Sequence, residues 1–514
     1  MKNTLFLIIC FTFFLNATAQ RFSVVHPNMG GGPAINIVQT DSGYVSVCKY
    51  VYSNNLVDFM TFDSEGELID MRSHADTNVT FTENGDKSLL LKDNRFYLSN
   101  TKFIQSDSTY VSLVKLNQDF DTLQQQNLWQ YEGYTPQCRA LQFDTDSTMV
   151  ITGFLYRSPN SQGRQKYDLW VARLDTAFNV LWQQRVEDTR PSMNDGYRGL
   201  DMVVDVYNSI LITGSYNVDF GPWQGLNRSF AARLDQKTGR LHWLKEYRSS
   251  QSDPDAGAEY MFALDEGNGT YSFIDVQHAS FVPNTIGPDS SRIRFGYMDT
   301  TGMIVWDTLI GPIAQQYYPR DLHKTSSGNY YIAGQLASAG PFKSFGFVFN
   351  SQGDSINYVI HRHKDSVQNE NALIRENLWN FQPTPDGGFI HIGNWVDPDT
   401  NQNIVNTWLL KTDEYGCKVE GCQISLPEAL AKPSLLDVYP NPTTGRVYLE
   451  SSLRLKDKNL KLVLNTMDGR KVLEKTHTLE QQNYLEMGHL PPGLYLIQVF
   501  QSGRSLGTLK IQKE

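Results

Sequence analysis

Basic charge is in short supply in this 514-residue sequence: 45 Lys and Arg stand against 55 Asp and Glu, a formal net charge of -10, and no basic run longer than a few residues appears. Phosphate binding needs clustered Lys and Arg, so nucleic acid is excluded as a partner. Cysteine is scarce too, with five copies, and no Cys/His group has zinc spacing. HExxH, GxSxG and P-loop motifs are also missing. Long apolar runs are absent except at the start, where residues 4–15 (TLFLIICFTFFL) follow Lys2. That run is too short for a membrane span, and the small residues Ala17, Thr18 and Ala19 come after it. Residues 1–19 therefore read as a signal peptide cleaved between Ala19 and Gln20, taking Cys10 with it.

Amphipathic helical stretches are the last thing missing. In their place stand many aromatics (12%) with 38 Gly and frequent Asp and Asn, a composition for strands joined by tight turns. The length requires at least two domains.

One phrase recurs seven times: TFDSEG, KLNQDF, RLDTAF, RLDQKTG, YMDTTG, VFNSQG and KTDEYG. Its acidic or amide residues are Asp63, Asn117, Asp175, Asp235, Asp299, Asn350 and Asp413, spaced by 54, 58, 60, 64, 51 and 63 residues. A second phrase precedes each copy, a polar turn and an alternating apolar strand ending at Cys48, Asn100, Gly153, Gly214, Asp275, Gly334 or Gly393. Asn100 and Asp275 at this glycine position read first as drifted copies, and otherwise as polar side chains pointing into the central channel or a cleft between blades. Each unit thus holds about four short strands, and such a unit repeated radially is a propeller blade. Its apolar faces are hidden only if the ring closes, and residues 21–26 (RFSVVH) are placed to supply the outer strand of the last blade. The fold expected is all-β, a seven-bladed β-propeller over residues 20–422. RLDQKTGRLHW, with the weaker LDTAFNVLW and MDTTGMIVW, resembles the tryptophan-docking repeat of quinoprotein-type propellers. That resemblance implies that Trp243, Trp182 and Trp306 brace neighbouring blades.

A linker over 423–435 (within SLPEALAKPSL) leads to a different pattern. YPNPTTG is a tight turn, MDGRKV a hairpin signal at Asp468-Gly469, and LPPGLYLIQV and LKIQKE are strands. These make a small Ig-like antiparallel β-sandwich over 436–514. In this order the phrases are similar to the type A sorting domain of type IX secretion cargo. Carried over, Pro440, Asn441, Pro442 and Gly445 form the first turn; Gly469 and Arg470 sit in the central hairpin; Gly493 and Tyr495 stand in the penultimate strand, and Lys510 in the last. The ending departs from the family's Lys-rich close. The resemblance implies export through the type IX translocon, removal of the domain by a sortase-like peptidase in the linker, and a secreted or cell-surface protein on the extracellular side of the outer membrane. The layout also resembles repeat-rich secreted proteins of the Bacteroidetes.

Cys417 and Cys422 in GCKVEGC are close enough to form a disulfide in an oxidising compartment. Cys48 and Cys138 fall in the first and third repeats and read as buried small hydrophobes. His361 and His363 share one strand face but read as a solvated edge. The acids Asp195, Asp201, Asp253, Asp255 and Glu259 offer no pairing that sequence alone fixes, and read as surface charge. No catalytic residue, metal site or cofactor is expected; SDPDAGAE has oxygen ligands for Ca²⁺ but not the spacing of a known loop. The reading is a binding or adhesion module for glycan or protein. The alternative is an extracellular enzyme, polysaccharide-active or quinone-dependent, that uses the propeller channel.

Overall fold

The computed structural model describes residues 21–26, 34–49, 56–75, 80–82, 87–104, 108–128, 134–157, 166–187, 196–220, 223–247, 258–278, 291–314, 316–337, 342–363, 376–396, 405–418, 436–439, 443–451, 459–466, 471–478, 484–501 and 504–514. Among these residues there is no helix. The chain divides into two compact units, Met1–Ser425 and Leu426–Glu514.

In the first unit every repeat folds as an antiparallel meander of strands. Group 1 is Ala34–Thr40, Gly43–Lys49, Leu56–Asp63 and Leu68–Ala75; group 2 is Leu89–Lys92 with Thr80–Thr82, then Arg95–Ile104, Ser108–Leu116 and Thr122–Leu128. Group 3 is Tyr134–Phe143, Thr148–Arg157, Lys166–Asp175 and Val180–Val186; group 4 is Gly196–Val204, Ser209–Phe220, Trp223–Asp235 and Leu241–Tyr247. These two share one sheet through a single parallel pair, Tyr167 with Gly196. Group 5 is Ala258–Asp265, Thr270–His278, Ser291–Asp299 and Ile304–Ala314; group 6 is Gln316–Lys324, Tyr330–Ala337, Lys343–Phe349 and Ser355–His361. Group 7 has Glu376–Pro383, Phe389–Val396 and Val405–Thr412, and its fourth strand is Phe22–His26 from the other end of the unit. Phe22 pairs there with Lys411 and His26 with Thr407, as the sequence anticipates.

The first strand of each group packs against the preceding group, and the first strand of group 1 packs against group 7. Apolar clusters fill the spaces between groups. One joins Tyr97, Leu113, Leu141, Ile151, Trp170 and Phe178 of groups 2 and 3; another joins Ile37, Tyr44 and Phe62 of group 1 with Ile390 and Leu409 of group 7.

The recurrent Asp or Asn closes the turn between strands 3 and 4. Asp175 Oδ1 accepts the backbone N–H groups of Ala177 and Asn179 at 2.8 and 2.9 Å, and Asn117, Asp299, Asn350 and Asp413 do the same two and four residues on. Three residues after Asp or Asn, or four after Asp235, the backbone takes a positive φ, which explains the frequent Gly. Phe120 and Phe178 hold this position at φ 62°, and burial of their rings offsets the strain. The turns also receive the braces expected from the tryptophan repeat. Trp182 Nε1 donates to Gln236 O and Trp243 Nε1 to Thr300 O, both at 2.9 Å, each indole lying over the turn glycine of the next group, Gly239 or Gly302. At the junction of groups 7 and 1, Phe22 covers Gly66 in the same way, and His26 Nε2 contacts its carbonyl at 2.7 Å. Trp306 departs from the expectation: it packs on Phe295 and Tyr297 of its own group and is 38% exposed.

The glycine ending the second phrase also has a steric cause. A β-bulge in strand 1 swings a carbonyl over it, so that a Cβ on Gly153 would lie 1.8 Å from Gln137 O. Gly214, Gly334 and Gly393 face the same obstruction. Where the sequence has Asn100 or Asp275, strand 1 differs: it is split in group 2, and in group 5 the register skips from Glu259 to Phe262 with Tyr260 at φ 55°.

The second unit contains a three-stranded sheet (Leu436–Tyr439, Arg446–Ser451, Tyr484–Glu486) and a four-stranded sheet (Lys471–Thr478, Asn459–Thr466, Gly493–Gln501, Arg504–Lys513). Val447, Leu462, Leu464, Leu485, Tyr495, Ile497 and Ile511 from both sheets form one core. The chain end is tied to the first turn, because Thr443 N–H donates to Gln512 O at 2.8 Å and Glu514 N–H to Thr443 O at 2.9 Å.

Candidate functional site

In six groups the bulge in the first strand, and in group 2 the residue just before Leu89–Lys92, places one residue at an equivalent position. These residues are Asn36, Ser88, Ala140, Asp201, Phe262, Asp321 and Asn380, all buried. A cavity of about 290 Å³ opens there, lined by first strands of groups 2 to 7. Its walls are mostly apolar, including Leu89, Leu141, Met202, Leu264, Leu322 and Phe381.

A charged cluster forms one side of it. Lys87 Nζ donates to Asp201 Oδ1 at 2.6 Å and to Asp321 Oδ1 at 2.8 Å, and lies 5.8 Å from the centre of the Phe262 ring. His323 Nε2 stands 3.0 Å from Asp321 Oδ2. Next to this, Asn36 Nδ2 donates to Ser88 Oγ at 2.8 Å. Lys87 therefore links groups 2, 4, 5 and 6, while its own backbone pairs with Ala140 of group 3. Burial opposes its charge, but Asp201 and Asp321 outweigh burial and hold the ammonium above its ordinary pKa. Burial would likewise raise Asp321, but Lys87 and then His323 pull it well below the usual carboxylate range. Asp201 is shifted upward, by burial first and then by the charge of Asp321. Both carboxylates are thus committed to one ammonium.

Three further buried acids, Asp144, Asp205 and Asp275, tie groups together. Asp144 accepts from Arg173 of its own group and Gln236 of group 4; Asp205 accepts from Arg233 and from Tyr271 of group 5. Asp275 is bound by Arg294 and receives the Ser229 hydroxyl from group 4, so it fills a cleft between sheets and is not a drifted position without a role. Asp201 is buried, contrary to its reading as surface charge. His361 is fully buried as well, whereas the sequence suggested a solvated edge.

Several sequence-derived positions lie outside the described residues: Ala19, Gln20, Asp195, Asp253, Asp255, Cys422, Pro440, Asn441, Pro442, Gly469 and Arg470. Cys417 is buried and disulfide-bonded. Cys48 and Cys138 are buried free thiols in different groups, each with burial pushing its pKa up to about 12. In the second unit Gly445 O accepts Met487 N–H, Tyr495 Oη donates to Pro491 O at 2.7 Å, Gly493 opens its strand, and Lys510 pairs with Leu496 in the last ladder.

Lys87 itself escaped the sequence reading. One signal was available: Asp201 and Asp321 each precede their strand glycine by thirteen residues (214 − 201 and 334 − 321), as Ala140 and Asn380 precede theirs. Aligning the repeats by that glycine would have shown two acids at one inner position.

No curated protein matches the chain. Among solved structures, it is similar to a protein of unknown function from Dyadobacter fermentans DSM 18053, at 9% identity over 77% of this chain and 100% of that one, TM-score 0.43. It is also similar to the GH93 α-L-arabinofuranosidase of Fusarium graminearum with arabinobiose (8% identity, 76% and 97% covered, TM-score 0.40) and to the WD40 domain of SCAP from fission yeast (9%, 77% and 99%, 0.34). Residues 437–513 match the secretion system C-terminal sorting domain, and a chain carrying that domain is a secreted or cell-surface protein handled by the type IX machinery.

Proposed function

We propose that residues 20–422 form a seven-bladed β-propeller, closed by the strand Phe22–His26, that acts as a binding or adhesion module for glycan or protein at the cell surface. Support for the ring comes from the cyclic order of packing and from the cavity shared by six first strands. The observation that carries binding over hydrolysis is the Lys87 cluster. A glycosidase needs one carboxyl free to donate a proton and another free to attack or to activate water. Here the two acids facing the cavity are bonded to the same ammonium.

The tight turns join strand 1 to 2 and strand 3 to 4, so the longer connections, 2 to 3 and 4 to the next group, emerge from the opposite strand ends. Their unequal lengths, from residue 315 alone to residues 364–375, suit that edge to ligand recognition. The route begins with a signal peptide over 1–19. It ends with the Ig-like sorting domain over 436–514, which a sortase-like peptidase releases by cutting the linker at 423–435, leaving the propeller on the outer face of the outer membrane.

The test is a glycan array and a panel of host matrix proteins, probed with the chain starting at Gln20, with product release assayed on every glycan that binds. Retention without turnover supports the proposal. Release of sugar from any polysaccharide overturns it.

A further inference from the structure

Two imidazoles are buried where groups 6 and 7 meet. His361 ends strand 4 of group 6 and His391 lies on strand 2 of group 7; both are 0% exposed, with ring centroids 5.6 Å apart. Gly346 makes the room, since a Cβ there would stand 2.6 Å from His361 Nε2. Among the described residues, neither ring nitrogen of His361 has a hydrogen-bond partner, nor has Nδ1 of His391. His391 Nε2 lies 3.3 Å from both the Tyr331 and Thr412 hydroxyls, and its ring stacks on Phe381 at 5.4 Å.

No carboxylate among the described residues offsets an imidazolium at the pair. Lys418, whose Nζ donates to Arg362 O, acts on His361; Lys411, held by Asp386, and His323, on the far side of Phe381, act on His391. Tyr331 is a buried neutral phenol, and Asp413 is paired with Arg21. Burial first, then Lys418, pushes His361 down to about 3; burial, then His361, Lys411 and His323, puts His391 well below its ordinary value.

Folded pKa values below the unfolded one fix the sign. The stabilisation is complete above about pH 6.5 and is lost as pH falls toward the folded values, because the open seam takes up protons that the closed one does not. The seam also adjoins the closing strand. Ser23 on that strand receives the Trp408 indole N–H at 3.0 Å and contacts His363 Nδ1 at 3.3 Å, two residues past His361.

We propose that this seam is an acid-sensitive latch: protonation of His361 and His391 opens the junction of groups 6 and 7 and loosens the strand Phe22–His26 while the other sheets stay folded. The latch stands whether or not the body binds glycan.

Hydrogen exchange on the full chain, corrected for intrinsic rates, tests it between pH 7.5 and 5. An imidazole of ordinary pKa favours the open state about 30-fold at pH 5, so two raise the opening constant by about 1000-fold. Peptides covering Phe22–His26, Ser355–His361 and Phe389–Val396 should lose protection first, while Arg95–Ile104 and Ser108–Leu116 keep theirs. His361→Leu should reduce the increase to about 30-fold. Uniform loss across all sheets, no selective loss by pH 5, or an unchanged response in His361→Leu overturns the proposal. If that variant does not fold, the comparison of peptides in the unaltered chain decides alone.

Discussion

Replacing Lys87 by Met removes the one cation that Asp201 and Asp321 share and leaves the methylene stem nearly intact. Each carboxylate has less than a tenth of its side chain exposed, so neither can turn to bulk water for a substitute. Breaking a buried ion pair from one side costs about 3–5 kcal/mol, because the remaining charge stays desolvated. Two carboxylates lose their cation here, but Asp321 keeps His323 Nε2 at 3.0 Å and Lys87 has a quarter of its side chain exposed, so part of the loss is recovered. A loss of about 3–5 kcal/mol is therefore expected, a large share of the roughly 5–15 kcal/mol that holds a domain together.

The assay is urea unfolding followed by tryptophan fluorescence. All nine tryptophans precede residue 426, so the signal reports the body without the sorting domain. The pH dependence separates electrostatics from packing. In the variant the stranded carboxyls have pKa values above the unfolded one, so acid stabilises the variant; in the unaltered chain Asp321 is held low, and its contribution is lost as pH falls. The deficit should therefore shrink between pH 7 and 4.5, and Lys87→Met combined with Asp201→Asn and Asp321→Asn should recover most of it. A deficit under about 1 kcal/mol at pH 7, or one insensitive to pH, would show that the cluster is not the tie the distances imply.

Trp243→Ala should cost about 3 kcal/mol or more, since it strips the cover from Gly302 and the bond to Thr300, while Trp306→Ala, which braces no neighbouring group, should cost less than about 1.5 kcal/mol in the same urea assay. Thiol titration of the chain starting at Gln20 should find no reactive cysteine in the folded protein and two after denaturation without reductant, Cys48 and Cys138. Four reactive thiols would mean that Cys417 is not oxidised.

The repeats were legible because each turn solves a local problem. A residue with a side-chain oxygen must accept two backbone N–H groups, and a residue tolerant of positive φ commonly follows; both leave marks in the sequence at Asp63, Asp299 and Asp413 and at their glycine followers. The glycine of the second phrase was legible for the same reason, though its cause, a carbonyl swung over by a bulge, was not. The Lys87 cluster was hidden because its members come from repeats 2, 4 and 6. Their proximity depends on where the bulges fall, and a bulge shifts which face a side chain takes without changing composition. His361 was misread on similar grounds: HRHK looks solvated, and only the groove above Gly346 shows that the first histidine turns inward.

Those failures share a physical origin that bears on how the protein works. Several polar residues within the body take partners on other groups, as with Lys87 and the two aspartates, Asp275 and Ser229, or Asp205 and Tyr271. Lys87 finds its two carboxylates only on other groups, so a partly assembled body leaves that charge uncompensated, and the bonds from Ser229 and Tyr271 form only when the neighbouring group docks. At the seam of groups 6 and 7, three buried imidazole nitrogens of His361 and His391 have no hydrogen-bond partner among the described residues, and a structure tied in this manner yields where its ties are missing.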